Sequence, residues 1–127
     1  MLGDLGDIRA ILSEADHAVP QRLIQSLDQM GPMLRGLRHG DGGLACFNGS
    51  GEGNPTLIDA ALSVSRTDGQ ALTNAPHIGF QRVAANKALA IMDTGPSTSL
   101  DGSVYAGTLS FEMSVGKERL VVNCGPY

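Results

Sequence analysis

Tryptophan is absent from the 127 residues, and two tyrosines and three phenylalanines complete the aromatic complement, so a core has few large anchors. Charge is also sparse: 17% of residues are charged, and nine Lys+Arg against thirteen Asp+Glu leave a net −4. No two of the cations are adjacent. That dispersal excludes the basic footprint a nucleic-acid binder needs. No apolar run approaches the roughly 20 residues of a spanning helix, which argues against a membrane-embedded segment. The start, Met1-Leu2-Gly3-Asp4-Leu5-Gly6-Asp7, lacks the basic and apolar regions of a secretory leader. Read alone, the chain stays in the compartment where it is made, while the compartment of a parent protein is left open. Cys46 and Cys124 stand far apart with no CxxC pattern, so two free, packed thiols are expected rather than a disulfide framework. His17, His39 and His77 show no HxH or HExxH spacing, and neither a metal nor a cofactor is expected.

What is present suits one small domain or parts of two. Apolar residues make up 42%, and seventeen glycines are about twice the usual share of roughly 7%. Leu5, Ile8, Ile11 and Leu12 form an apolar stripe of helical period, with Asp4 and Asp7 favouring the helix start. A second stripe, Leu23, Ile24, Leu27, Met30, Met33, Leu34 and Leu37, follows Pro20, and Gly31-Pro32 is expected to kink or break it. From His39-Gly40-Asp41-Gly42-Gly43 the composition changes to glycine-rich turns. Leu44 to Phe47 reads as a buried strand, Asn48 to Asn54 as a loop, Pro55 to Val64 as a helix and Ser65 to Pro76 as a polar linker. Strands follow. Phe80–Val83 and Leu89–Met92 flank a turn at Ala84–Lys87, and Leu109, Phe111, Met113 and Val115 alternate with Ser110, Glu112 and Ser114. That alternation predicts one apolar face and one wet face. Gly116-Lys117-Glu118 is the turn that leads into Leu120-Val121-Val122. The fold class is α+β, with N-terminal helices followed by antiparallel strands.

Few motifs carry chemistry. The Asn48–Asn54 loop before a helix invites comparison with a phosphate cradle, but it lacks the Walker lysine and Pro55 removes a donor, so it reads as a connection. His39 lies beside Arg35 and Arg38; this positive cluster could hold a carboxylate or sulfate, or be a solvated helix end. His77 follows Pro76 at a strand start, from where a side chain can reach across a sheet end. Glu112 and Asp93 are expected to keep the polar face soluble. No Ser-His-Asp order, GxSxG elbow or paired-carboxylate pattern is found.

The run Ala106-Gly107-Thr108-Leu109-Ser110-Phe111-Glu112-Met113-Ser114, followed by Arg119-Leu120-Val121-Val122-Asn123-Cys124-Gly125, resembles the opening of the β-domain in the heparinase II/III-like family. The stretches Arg38 to Gly49 and Ala75 to Arg82 are similar to the joint before that domain, so the resemblance spans about residues 20–127. It implies an α/α toroid ending in residues 1–39 and the first part of an antiparallel β-sandwich in 40–127. It also implies β-elimination on uronate-containing glycans, in which the carboxylate is neutralised, the C5 proton abstracted and O4 protonated. Tyr105 stands where relatives often carry His, and a phenol with a reference pKa near 10 is a poorer base. Tyr105 and His77 are the implied catalytic candidates, and Arg82, His39 and Arg38 the implied holders of an anionic polysaccharide. The toroid's own catalytic groups would lie upstream, so negligible turnover is expected of this chain alone. The alternative is a non-catalytic module for anionic glycans or for interaction. Half a sandwich would leave the Leu109/Phe111/Met113 face uncovered and a strand edge unpaired, inviting self-association.

Overall fold

A computed structural model describes residues 1–65, 70–75, 79–95, 99–100, 103–104 and 107–123. His77, Tyr105 and Cys124 lie outside these residues. Among the described residues, three helices come first: α1 (Leu2–Glu14), α2 (Gln21–Gly36) and α3 (Pro55–Ser65). Seven strands follow among them: β1 (Asn74–Ala75), β2 (Phe80–Ala85), β3 (Ala88–Asp93), β4 (Ser99–Leu100), β5 (Ser103–Val104), β6 (Phe111–Val115) and β7 (Glu118–Val121). The class is α+β, helices before antiparallel strands.

The helices bury one another. Leu2, Leu27, Ile58 and Leu62 form a core to which Leu5, Leu23, Met30, Leu34 and Leu44 add partly buried surface. Leu27 is fully covered, which stabilises by about 2 kcal/mol. Of the expected kink or break at Gly31-Pro32, the break does not occur: α2 continues through Pro32, whose carbonyl accepts from the amide of Leu72 at 3.2 Å. In α1 the expected stripe is only half correct. Leu2 and Gly6 are buried, whereas Ile8 and Ile11 are exposed.

The main sheet has the order β1-β2-β3-β6-β7, antiparallel throughout. Two-residue turns join its hairpins, with Asn86 (φ 52°) in the first and Gly116 (φ 58°) in the second, where a left-handed backbone is required. Strands β4 and β5 pair separately. On the inner face, Leu89 and Ile91 pack with Ala45 and Phe47, and Leu37 and Phe80 close the rim. The rings of Phe47 and Phe80 lie 5.3 Å apart. Ala45 to Phe47 is buried as expected and Leu44 partly so, but the segment is not a strand, since its pairing is limited to one bridge, Leu44 to Arg38. It is a covering loop that presses its side chains onto the sheet.

The polar face of β6 is not the wet face that was expected. Glu112 and Ser114 are buried, while Phe111 and Val115 are 45% and 39% exposed. Asp93, also expected to be solvated, is buried and accepts from Gly95 N (2.9 Å) and Asn48 Nδ2 (3.1 Å). The physical reason is the loop that covers this face, because it brings polar donors rather than aliphatic side chains. On the outer face Val83, Met92, Phe111, Val115 and Val121 stay exposed. Leu109 is not in the strand at all; it precedes β6 with φ 68°.

The covering loop meets the sheet at backbone distance. A methyl group on Gly40 would overlap the carbonyl of Gly116, a backbone group that cannot swing aside. Gly40→Ala is therefore expected to cost at least about 2 kcal/mol in denaturant unfolding. Gly51→Ala, with no neighbour within 4 Å, should change stability by less than about 0.5 kcal/mol.

Candidate functional site

The covering loop begins where α2 ends. Gly42 N donates to His39 O (3.0 Å) and His39 N donates to Gly43 O (2.9 Å), which folds residues 39–43 into a tight turn. This turn aims the imidazole of His39 at β6. Its Nε2 lies 3.0 Å from Glu112 Oε2 and its Nδ1 lies 2.8 Å from Ser114 Oγ. A carboxylate can only accept, so Nε2 carries the proton and Nδ1 accepts from the serine hydroxyl. The other oxygen of Glu112 accepts from Cys46 N (2.8 Å) and Asn123 N (3.1 Å). Glu112 is thus a buried acceptor whose donors come from the loop and from the chain after β7.

Arg119 on β7 completes the cluster. It grips Asp41 with two bonds, Nε to Oδ2 at 2.7 Å and Nη2 to Oδ1 at 3.2 Å, and donates from Nη1 to Leu44 O at 3.1 Å. Its Nη1 also lies 3.6 Å from Glu112 Oε2 and 3.6 Å from Glu52. Hydrogen bonding to Arg119 holds the Asp41 carboxyl below the usual carboxylate range. Burial, aided by the Arg119 charge, lowers the pKa of His39 and outweighs the opposing pull of Glu112. Burial and the carboxylates of Glu112 and Glu52 push the Cys46 thiol up, as suits a free, packed cysteine rather than a nucleophile.

Ser114, His39 and Glu112 have the hydrogen-bond order of a hydrolytic relay, but Ser114 is 1% exposed and cannot meet a substrate. The cluster holds the loop to the sheet.

Beside it opens a polar notch of about 320 Å³ at the hairpin-tip end of the sheet. Its wall includes His39, Gly40, Arg82, Lys87, Gly116 and Lys117. The two hairpin tips are tied together there, because Gly116 N donates to Lys87 O at 2.8 Å. Three of the chain's nine Lys and Arg converge on this notch, and among the described residues no carboxylate lines it. The buried Nε of Arg82 has no hydrogen-bond partner among the described residues. Burial also draws the Arg82 guanidinium below its usual pKa. A larger groove of about 480 Å³ lies among the helices, but its lining (Met30, Met33, Leu34, Leu57, Ile58) is apolar and offers a polar ligand little.

Of the residues singled out in the sequence, the structure brings Arg82 and His39 to the notch. It ties Arg38 elsewhere: Nη1 lies 2.9 Å from Asp59 on α3 and Nε donates to Gly42 O at 2.9 Å. Lys87 and Lys117 were not singled out. Each sits in a hairpin turn, and their convergence depends on β3 pairing with β6, a long-range contact without a local signal. Among the described residues, no group of three His, Cys, Asp or Glu is placed to hold a metal ion, and no helix is long and apolar enough to cross a membrane.

An antiparallel sheet capped by a loop that carries a buried His–Glu pair, with a cationic notch at its tip, defines a β-domain attached to a helical segment. Residues 67–127 match the C-terminal heparinase II/III-like family model, and this part of the chain belongs to that family as a partial match. FtsZ-localized protein C of Caulobacter vibrioides (strain NA1000 / CB15N) is 30% identical over 127 residues, covering 98% of this chain. The chain spans 22% of that relative's length. No solved structure matches.

Two outcomes follow from the buried cluster. Glu112→Gln should cost about 3 kcal/mol in chemical unfolding, because the amide must turn an NH₂ toward donors that need an acceptor. The pKa of His39 in the fold lies below its usual 6.5, so the unfolded chain binds the extra proton first. Stability from this residue is complete above about pH 6.5 and declines as pH falls below it. Melts between about pH 5 and 7.5 should show this decline, and His39→Gln should flatten it.

Proposed function

We propose that this chain is a non-catalytic recognition module for anionic glycans, built on the heparinase II/III-like C-terminal domain. The observation that carries this reading is the convergence of Arg82, Lys87 and Lys117 on one notch with no opposing carboxylate among the described residues. Opposite charge in a concave, partly desolvated site attracts anionic groups more strongly than scattered surface cations do. Turnover is not expected of the chain by itself. His39 is spent on Ser114 and Glu112 and so is not free to move a substrate proton. The elimination chemistry implied for the family would need groups that the notch does not supply.

Calorimetric titration with a heparin hexasaccharide should show saturable binding that weakens as salt is raised. Neutralising all three cations (Arg82→Gln, Lys87→Gln, Lys117→Gln) should weaken it at least about tenfold, since each pair contributes about 0.5–1 kcal/mol. The ultraviolet absorbance of an unsaturated uronate product should stay flat. Flat titrations at low salt would sink the binding reading, and a rising absorbance would restore the lyase.

A second reading draws on the curated relative, whose name places it with FtsZ and whose likeness continues through helices outside the family match. On that reading the chain is an interaction module of a protein that accompanies FtsZ. Co-sedimentation with FtsZ polymers tests it directly.

A further inference from the structure

We infer that anion binding in the notch is proton-linked through His39, so that an anionic ligand is held more tightly as this imidazole gains its proton. The inference rests on the notch being an anion site and adds to that reading a means of regulation.

The argument is geometric. His39 and Gly40 form one wall of the notch, yet the imidazole is fully covered and lies between Glu112 and Ser114. A charge placed there is screened by little water, so it acts on an anion in the notch through protein rather than solvent. The groups facing His39 can be named for every packed element. Glu112 comes from β6, Arg119 from β7 and Asp41 from the covering loop, while Arg82, Lys87 and Lys117 come from β2 and the two hairpin tips. Cys46 and Glu52 stand one shell further out, against Glu112 and Arg119.

With the notch empty, the local balance is set by burial and by the Arg119 charge, both of which disfavour imidazolium. A sulfate group in the notch adds negative charge to this balance and favours the protonated ring. By reciprocity, protonating the ring raises affinity for the sulfate by the same factor. Glu112 is already in place to accept from Nε2 in either state, so the ring takes up charge without moving. Ser114 Oγ turns from donor to acceptor, a rotation of one hydroxyl. Sulfates do not titrate in this range, and His39 supplies the imidazole of the wall, which gains its proton below its usual 6.5.

The test uses the whole chain and a heparin hexasaccharide, with circular dichroism to confirm folding at each pH. Affinity should be about three- to tenfold higher at pH 5.5 than at pH 8. The His39 ring resonances, followed by NMR, should titrate at a higher pH when the oligosaccharide is saturating. In His39→Gln the affinity difference between the two pH values should vanish. The NMR midpoint keeps the question answerable if that variant does not fold. Equal affinity at both pH values, an unmoved His39 midpoint, or a pH dependence retained in His39→Gln overturns the linkage and leaves the anion site standing. Absence of binding at both pH values overturns the anion site and the linkage with it.

Discussion

One buried carboxylate organises the sheet half of the molecule. Glu112 accepts from the His39 ring and from the amides of Cys46 and Asn123, and Arg119 stands close by. An uncompensated carboxylate at this depth would be costly, so its donors must all be held in place. Holding them fixes the covering loop on the inner face of the sheet. The loop in turn places Gly40 against Gly116 and thereby shapes the notch between the hairpin tips. Packing of Phe47, Leu89 and Ile91 supplies the apolar part of the same contact.

The two halves of the chain are built by different means. The helices cohere through aliphatic burial around Leu27 and Leu62 and tolerate a proline within α2. The sheet is covered by a glycine-rich loop whose polar groups are matched one by one. Its outer face keeps Val83, Phe111 and Val121 exposed.

Helix period, hairpin spacing and turn chemistry were legible, because those signals lie within a few residues of each other. The α+β class and both main hairpins follow from them. The family resemblance was legible too, and the match over residues 67–127 carries it. The facing of β6 was not legible. Alternation of Phe111, Met113 and Val115 with Glu112 and Ser114 shows that the faces differ, but not which one is covered. Burial of the polar face was decided by His39 and Cys46, more than sixty positions away. The notch was half legible: Arg82 and His39 stood out, whereas Lys87 and Lys117 looked like ordinary turn residues.

The hydrogen bonds that join His39 and Cys46 of the loop to Glu112 and Ser114 span 66 to 75 positions, with the loop residues made first and the strand much later. During synthesis, the three helices can collapse on one another while the loop between α2 and α3 still lacks its acceptor. That loop reaches its final shape only once β6 has formed and paired with β3. Helices rest on local contacts, whereas this closure joins segments far apart in the chain, the kind of contact whose loop entropy slows folding.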